Sequence, residues 1–267
     1  MHIIRGQMEE TERFGNVSLL ITHYNRSRSL ENLLKSFARQ NCSFCEIIVS
    51  DDGSAFEHIQ YIKGLQHRFP FRLLTATANK GLGNNINKGQ DAVQSEYTLY
   101  VQEDFQPAED FKIHFKHAVE IMQERIDADM IRFYAYFKYP YLQKYKYGFS
   151  EMIFKLSKPG YKKFYAYSDH PHLRRSSFFK KFGRYAEGVK GDVTEYKMMM
   201  SFLQKKGKCF FYEDYRNLFY QLNSEEEPST MKRNSWRESR NPLIDFMREL
   251  YRHTKFNIDF IFKKHSL

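Results

Sequence analysis

The first hundred residues alternate short apolar runs with amphipathic segments. Runs rich in β-branched and aromatic residues predict strands at Val17–Thr22, Glu46–Ser50, Phe71–Thr77 and Tyr97–Gln102. Between them, apolar residues recur every three or four positions, which predicts helices at Ser27–Gln40, Phe56–Phe69 and Leu82–Gln94. We expect Ser27 or Ser29 to cap the first helix. Strands and helices that alternate across short connections predict a mostly parallel sheet covered on both faces.

The second half of the chain is less regular. Its periodicity predicts a helix at Glu109–Arg125, a strand at Met130–Ala135 and a helix at Thr194–Lys206 that stops at Gly207. The intervening segment Phe133–Phe149 is dense in tyrosine, phenylalanine and lysine. Such a segment is typical of a core or an oligomer surface, although aromatic rings beside lysines also stack on nucleic-acid bases.

The amino-acid composition restricts the classes of protein to which this chain can belong. The chain has 267 residues, of which 42% are hydrophobic, and this suits one large α/β domain with a small appendage. Its formal charge of +10 favours an anionic partner: a nucleic acid, an anionic lipid or a phosphorylated substrate. No apolar run reaches the length of about 18 residues that a spanning helix needs. Met1–Phe14 lacks the apolar centre of a secretory signal, so we expect a cytoplasmic protein.

The cysteines agree with a reducing compartment, because there are only three of them, Cys42, Cys45 and Cys209. Cys42 and Cys45 have the spacing of half a zinc site, but no second pair follows. Zinc sites need about four ligands, so the sequence does not favour one.

Three chemically unusual segments follow predicted strands. Thr22–Arg26 follows the first strand, Asp51–Ser54 the second, and the acid pair Glu103–Asp104 the fourth. Ligands of parallel α/β sheets bind beyond the carboxyl ends of the strands, so we expect these segments to form a site. Asp51–Ser54 is typical of a turn or helix cap, or of a carboxylate that accepts a hydrogen bond from a nucleobase. An adjacent acid pair is typical of a solvated surface, or of Mg²⁺ or Mn²⁺ binding.

A glycine-rich segment, Asn79–Gly89, precedes and opens the third predicted helix. It matches neither a Walker loop nor the dinucleotide-binding fingerprint. It is either an ordinary loop with an asparagine-rich cap or a set of backbone N–H groups that, with Lys80, faces an anionic ligand.

Taken in order, these segments resemble glycosyltransferase family 2. Val17–Arg26 is similar to the opening strand and loop of that family, and Asp51–Ser54 is similar to its second-strand motif. Asn79–Gly89 resembles its glycine-rich segment, and Leu99–Asp104 resembles its acidic metal-binding motif. All four lie in the family's order and at its usual separations in the first half of the chain. A later match, at His170–Arg175, is looser.

The resemblance implies a GT-A fold, a Rossmann-like, mostly parallel sheet flanked by helices, with a helical C-terminal appendage. It implies a catalytic domain at 14–222, with a nucleotide-binding half at 14–105 and an acceptor half at 106–222, and a basic extension at 223–267. It also implies a nucleotide-sugar donor, a UDP-sugar first among them, a divalent cation (Mn²⁺ or Mg²⁺) and inversion at the anomeric carbon.

The family's site residues match particular positions of this chain. Asp104 matches the principal metal ligand, with Glu103 in support, and Asp52 matches the residue that contacts the base. The full set of nucleotide-binding residues that the resemblance implies is Thr22, Tyr24, Asn25, Arg26, Asp51, Asp52, Asn79, Lys80, Gly81, Gly83 and Asn87. The chain departs from the family twice: Glu103 stands where an aspartate is common, and Phe219–Gln221 stands where many relatives have a histidine.

The resemblance also places the general base at the start of the late helix, where the family has an acidic residue. Glu195 lies twelve residues before Gly207, which is the common spacing, and Asp192 is the alternative. Acids in the first turn of a helix also cap it or compensate its dipole, so a structural role stays open for both.

The tail beyond a polar linker at 224–228 is basic. Met231–Leu267 holds nine Lys and Arg against four acids, and a predicted helix places Leu243, Met247, Leu250 and Tyr251 on one face. We expect this helix either to pack on the catalytic domain or to anchor the protein on the anionic cytoplasmic face of an inner membrane.

These features predict a metal-dependent, inverting enzyme that moves a sugar from a nucleotide-diphosphate sugar to a glycan or lipid-linked acceptor hydroxyl. Bacterial surface polysaccharide or lipopolysaccharide synthesis is the expected setting. One alternative is a basic nucleic-acid-binding protein, but acidic loops repel phosphates unless a metal intervenes, so we expect no nucleic-acid partner. The other is a related nucleotidyltransferase, but Thr22–Arg26 lacks the glycine pattern that such an enzyme usually has there.

Overall fold

The computed structural model describes residues 11–222 and 242–264. Its strands are β1 (Glu12–His23), β2 (Cys42–Asp51), β3 (Arg72–Leu74), β4 (Tyr97–Gln102), β5 (Phe105–Pro107), β6 (Met130–Arg132), β7 (Leu142–Lys144), β8 (Phe149–Met152), β9 (His172–Arg175), β10 (Cys209–Tyr212) and β11 (Phe219–Gln221). Its helices are α1 (Ser27–Arg39), α2 (Phe56–Leu65), α3 (Leu82–Asp91), α4 (Phe111–Glu124), α5 (Phe178–Phe182), α6 (Gly191–Gln204) and α7 (Pro242–Phe262), with a 3-10 turn at Tyr161–Phe164.

Nine strands form one sheet in the order β3-β2-β1-β4-β9-β6-β10-β8-β7. The first four of these are parallel, and β6 is parallel to β10. β9 runs antiparallel between β4 and β6, while β8 is antiparallel to both β10 and β7. A second, two-stranded sheet pairs β5 with β11. The predicted α/β class with a mostly parallel sheet is therefore confirmed.

The side chains of β1 alternate between the two faces of the sheet, as a strand buried on both sides requires. Leu19 and Ile21 lie in a cluster that includes residues of α1, α2 and α4. Leu20 lies in a second cluster with residues of α3, α5, α6 and α7. The molecule thus has three layers, and all three of these side chains are fully buried.

The helix caps differ from their prediction. α1 begins at Ser27 with Arg26 in the N-cap position, and no side chain caps it, so the prediction of a Ser27 or Ser29 cap is wrong. The Ser27 hydroxyl instead forms a hydrogen bond of 2.9 Å with Nδ1 of His58 on α2. At the end of α6, Gly207 donates its backbone N–H to Phe202, and a Cβ at Gly207 would lie 2.5 Å from the Phe202 ring.

Helix α7 packs on the rest of the described structure along one face only. Phe256 is buried, and Asp259 accepts a hydrogen bond of 2.6 Å from the Tyr196 hydroxyl of α6. Met247, Leu250 and Tyr251 face solvent instead. The side chain of Leu243, the linker at 224–228 and the first ten residues lie outside the described residues. Within the described residues, no helix combines the length and hydropathy needed to cross a membrane.

Gly83 fixes how closely α3 approaches the segment before α6. A Cβ at Gly83 would lie 2.3 Å from the backbone oxygen of Ala186 and 2.9 Å from the Thr194 hydroxyl. We expect Gly83→Ala to lower the free energy of unfolding by about 1–3 kcal/mol, because backbone cannot yield as a flexible side chain does. The matched control is Gly64→Ala in α2, where nothing lies within 4 Å, and it should be neutral or gain up to about 1 kcal/mol. Urea unfolding measures both, and equal stabilisation of the two variants would contradict this packing role.

Candidate functional site

The register of three parallel strands brings the predicted loops together. Thr22 at the end of β1 pairs with Ser50 of β2 on one side and with Gln102 of β4 on the other. A pocket of about 330 Å³ opens beyond these strand ends. Of the residues named from the sequence, those that line it are Thr22, Tyr24, Arg26, Asp52, Asn79, Gly81, Glu103, Asp104, Asp192 and Glu195. Lys80 lies on an adjoining open groove, whereas Asn25, Asp51, Gly83 and Asn87 line neither cavity.

Asp51 holds two loops together below the pocket. Its Oδ1 accepts a hydrogen bond of 2.8 Å from Nδ1 of His23, whose Nε2 accepts one from the backbone N–H of Arg26. Its Oδ2 accepts hydrogen bonds of 3.0 Å from the backbone N–H groups of Gly53 and Ser54. Burial raises the pKa of Asp51, but the hydrogen bonds from His23 and Ser54 outweigh it and leave that pKa below its ordinary value.

Asn25 completes this arrangement, with a backbone φ of +52°. Its N–H donates to the Ser54 hydroxyl, and its side-chain oxygen accepts from the N–H of Ala55, both at 2.8 Å. Asparagine tolerates this left-handed conformation better than most residues. Asp51 and Asn25 therefore position the loops, while neighbouring residues face the pocket.

Asp52 joins the second loop to the glycine-rich segment. Its carboxylate oxygens accept hydrogen bonds from the backbone N–H groups of Lys80 (2.9 Å) and Gly81 (2.8 Å). Gly53 has a φ of +72°, and a Cβ there would lie 2.5 Å from the backbone carbon of Ala78. The glycine thus allows the close approach of the neighbouring loop at Ala78. Burial raises the pKa of Asp52 above its ordinary value.

Gly83 and Asn87 support α3 away from the pocket. Asn87 exchanges hydrogen bonds with the backbone of Tyr185, donating at 2.9 Å and accepting at 3.0 Å, and it also donates to Glu187. With the close approach of Gly83 to Ala186, these contacts attach α3 to the segment that leads into α6. The glycine-rich segment therefore divides into residues that line the pocket, Asn79, Gly81, Leu82 and Asn85, and residues that pack against other elements, Gly83 and Asn87.

Asp104 is buried between two donors from distant parts of the chain. Its Oδ2 lies 3.2 Å from the Arg26 guanidinium and accepts a hydrogen bond of 3.0 Å from Nε2 of Gln221. Glu103 lies 3.9 Å from the same guanidinium. Gln221, on β11, occupies the stretch where many relatives have a histidine, so this chain places an amide beside the acid pair.

The acid pair fits a cation that is shared with a substrate. Oδ1 of Asp104 is buried and has no hydrogen-bond partner among the described residues. Within residues 11–222 and 242–264, no cluster of three or more His, Cys, Asp or Glu side chains has the arrangement of a metal site. Mg²⁺ is commonly held by one or two carboxylates together with substrate phosphates. Asp104, which has one carboxylate oxygen without a partner in the described part of the chain, matches that pattern.

Glu195 and Asp169 form a pair of acids on the opposite wall. Oε1 of Glu195 accepts a hydrogen bond of 3.1 Å from the backbone N–H of Asp169. Oδ1 of Asp169 accepts one of 2.5 Å from the Tyr167 hydroxyl, while its Oδ2 is buried without a partner among the described residues. Burial raises the pKa of both carboxyls, and the negative charge of Glu195 raises that of Asp169 further. Such a pair holds a proton at higher pH than isolated acids do.

Asp192 lies in the first turn of α6, and no side chain caps that helix. It lines the pocket, as Glu195 does. Glu195 also lines a second cavity, of about 250 Å³, that Asp192 does not reach. Of the two candidate acids, only Glu195 thus stands between the two cavities.

Several pocket residues were not predicted as site residues, among them Tyr136, Asp169 and His170 in the second half of the chain. Tyr136 belongs to the aromatic segment, and its hydroxyl donates to Oε1 of Gln221 at 3.1 Å. His170 packs edge-on against the Tyr136 ring, and burial lowers its pKa to about 3, so its ring is neutral. The looser resemblance at His170–Arg175 was the available signal, since it begins at His170 and Asp169 directly precedes it.

Comparison with known proteins agrees with this geometry. The family model described as Glycosyl transferase family 2 matches residues 18–187. The chain belongs to glycosyltransferase family 2. The resemblance drawn from the four sequence segments is therefore confirmed.

The curated relatives match only part of their length. A cholesterol galactosyltransferase of Borreliella burgdorferi is 28% identical over 93 residues, which are 35% of this chain and 26% of the relative. A GalNAc(5)-diNAcBac-PP-undecaprenol β-1,3-glucosyltransferase of Campylobacter jejuni is 30% identical over 91 residues, 33% of this chain and 29% of the relative. The chain thus spans less than a third of the length of these relatives.

Among solved structures, S. aureus TarS 1–349 in complex with UDP-GlcNAc superimposes with a TM-score of 0.62 at 16% identity. The match covers 93% of this chain and 67% of TarS 1–349. The same protein in complex with UDP superimposes with a TM-score of 0.58 over 79% of this chain and 62% of that one. These likenesses confirm the predicted GT-A fold.

Proposed function

We propose that this protein is a glycosyltransferase that moves a sugar from a nucleotide-diphosphate sugar to an acceptor hydroxyl. The observation that carries the proposal is that acidic residues from three separate segments line one pocket. Asp52 faces it beside a glycine-rich loop, Asp104 beside a buried arginine, and Glu195 on the opposite wall. If these acids served only in a turn, a solvated acid pair and a helix cap, nothing would require all three to line one cavity.

We propose a UDP-sugar as the donor, because the TarS structures similar in fold are complexes with UDP-GlcNAc and UDP. Asp52 would accept hydrogen bonds from the base at the lone pairs that the N–H groups of Lys80 and Gly81 leave free. The side chain of Lys80, on the adjoining groove, would face the anionic part of the donor.

The departing diphosphate gains negative charge, and the protein offers two means of stabilising it. The Arg26 guanidinium, which is buried, provides a fixed positive charge at the acid pair. Asp104, with Glu103 beside it, would hold Mn²⁺ or Mg²⁺, which acts as a Lewis acid for the leaving group. The unpartnered oxygen of Asp104 supports this assignment.

Glu195 is our choice for the general base. Its position between the two cavities suits a carboxylate that takes the proton of an acceptor hydroxyl while the donor lies on the other side. Attack from the face opposite the leaving group would invert the anomeric carbon. Asp169 would then act as a positioning residue, because its backbone N–H holds the Glu195 carboxylate.

Asp104→Asn tests the metal assignment. We expect this variant to lose the Mn²⁺-dependent part of UDP binding and at least about a hundredfold in transfer rate, since an amide is a weaker ligand for hard cations. The fold should survive, because Asn keeps an oxygen for Arg26 or Gln221. Calorimetry with UDP, with and without Mn²⁺, measures the metal-dependent part of UDP affinity. Asp91→Asn, at an exposed ion pair with Arg184, is the matched control. Unchanged metal dependence in Asp104→Asn would remove Asp104 from the metal site.

Glu195→Gln tests the base. We expect transfer to fall by about 10²–10⁴-fold while UDP affinity stays near that of the wild type. Asp192→Asn is the matched comparison and should keep most activity. In the wild type, kcat/KM should fall as the pH drops through a pKa above the ordinary glutamate value, because burial raises the pKa of Glu195 and only its ionised form accepts the proton. Near-normal turnover of Glu195→Gln beside an inactive Asp192→Asn would transfer the role to Asp192.

We further propose that the acceptor is a glycan or lipid-linked saccharide of bacterial surface polysaccharide synthesis, and that the enzyme works at the cytoplasmic face of a membrane. The C. jejuni relative is named for an undecaprenol-linked acceptor. Helix α7 exposes a continuous apolar stripe at helical spacing, made of Met247, Leu250, Tyr251, Ile258, Ile261 and Phe262. Four cations lie in the same part of the chain, Arg248, Lys255, Lys263 and Lys264, which suits contact with anionic lipid, although Lys255 and Lys263 also pair with Asp259.

Flotation with anionic liposomes at low salt checks the membrane contact. We expect the wild type to float and the double variant Ile258→Ser with Ile261→Ser to float poorly, because it removes apolar side chains that face solvent. Tyr61→Ser, at an exposed aromatic residue on α2, should float as the wild type does. Equal flotation of the stripe variant and the wild type would exclude the stripe as the membrane contact.

A further inference from the structure

A second cavity adjoins the donor pocket and differs from it in chemistry. It has a volume of about 250 Å³ and lies between the aromatic segment after β6, the 3-10 turn and helix α7. Tyr136, His170 and Glu195 line both cavities, so they form the partition between them. A molecule in this cavity would have the Glu195 carboxylate on the side that faces the donor. If the function proposed above holds, this is where the acceptor is bound.

Aromatic side chains form most of the cavity wall. Six of its lining residues are aromatic: Tyr136, Phe137, Tyr139, Tyr161, Tyr165 and Phe211. Flat rings with a few polar groups among them suit a ligand that has both apolar faces and hydroxyls. A pyranose ring has this character, since its C–H groups cover its faces and its hydroxyls project from the edge.

The charges of the cavity are mostly positive. Arg132 and Arg252 line it, and Glu195 is its only acidic lining residue, while burial keeps the lining residue His170 neutral. Lys162 lies 5.3 Å above the ring of Phe137, one of the lining residues. Two guanidinium groups and one carboxylate thus line the cavity, a balance of charge that favours an anionic ligand.

Arg132 is the most unusual of these groups. It is buried, and its guanidinium donates to the backbone oxygens of Tyr165 and Tyr134 (2.5 and 3.3 Å), not to a carboxylate. Its Nε has no hydrogen-bond partner among the described residues. A buried guanidinium stays charged, so Arg132 adds a fixed positive charge to the cavity wall.

Arg252 brings the C-terminal helix into this site. It is half-buried on α7, donates a hydrogen bond of 3.2 Å to the Tyr161 hydroxyl, and lies 5.4 Å above the Tyr161 ring. These contacts hold the guanidinium over the cavity while α7 presents its apolar stripe to the opposite side. The helix thus has a second role besides the membrane contact proposed above.

We propose that this cavity binds the acceptor and selects a saccharide that carries a negatively charged group, a phosphate or a carboxylate, which Arg252 recognises from α7. The identification of the ligand as the acceptor rests on the function proposed above, whereas the preference for a charged saccharide does not. Arg132 would add a fixed positive charge deeper in the wall. The probes used in the test distinguish a phosphate from a carboxylate as the charged group of the saccharide.

The test compares the binding of charged and neutral sugars while UDP fills the donor pocket. UDP prevents the phosphorylated probe from binding in the donor pocket instead of the second cavity. The probes are N-acetylglucosamine 1-phosphate, glucuronic acid and uncharged N-acetylglucosamine, titrated by calorimetry or ligand-observed NMR. We expect the wild type to bind at least one charged probe about tenfold or more tightly than the neutral sugar, as one charge-assisted hydrogen bond provides. Preference for the phosphate or for the carboxylate probe then names the acidic group.

The variants assign this preference to Arg252. Arg252→Gln should abolish it, Arg252→Lys should restore part of it, and Lys180→Gln, which removes an exposed cation of α5, should leave it unchanged. UDP affinity should be equal in all four proteins. Equal binding of charged and neutral probes by the wild type, or no binding of any of them, would overturn the proposal, as would a preference that survives in Arg252→Gln. A failure of UDP itself to bind would instead count against the proposed glycosyltransferase function.

Discussion

The parallel pairing of β1 with β2 on one side and with β4 on the other is the constraint on which the site depends. It places Thr22, Ser50 and Gln102 side by side, so that three loops begin at one level of the sheet. The loops then need only short connections to meet. The alternating burial of β1 secures this register, because a shift by one residue would turn Leu20 and its neighbours to the wrong faces.

The same register creates an electrostatic problem, since it gathers several carboxylates in and directly below one pocket. Asp51, below the pocket, accepts hydrogen bonds from His23 and from backbone N–H groups, which lower its pKa. Asp104 lies beside the Arg26 guanidinium and accepts a hydrogen bond from Gln221. On the opposite wall, burial raises the pKa of Asp169 and of Glu195. The site therefore combines acids of lowered and of raised pKa, as sites of proton transfer commonly do.

Helix α7 connects the proposed acceptor cavity with the proposed membrane surface. Its inward face buries Phe256 and holds Arg252 over Tyr161, and its outward face carries the apolar stripe. An acceptor that is attached to lipid would reach the cavity from the side on which the helix meets the membrane. One helix would thus orient the enzyme and select the substrate, and the two roles use different faces.

The sequence by itself determined the alternation of strands and helices, the family, and the acids at the strand ends. These features are local: apolar periodicity defines each element, and a residue that ends a parallel strand reaches the ligand edge of the sheet. The family resemblance distinguished Asp52 from Asp51, but only the structure shows the physical reason: Asp52 faces the pocket beside the loop at 78–81, while Asp51 is bound to His23 and Ser54. The sequence could not place Gln221 at Asp104, 117 residues away, or Asp169 at Glu195. Gln221 lies in the small β5–β11 sheet and Asp169 in the loop before β9. Such short or irregular segments carry little periodicity, so only the packing of distant parts of the chain decided these contacts.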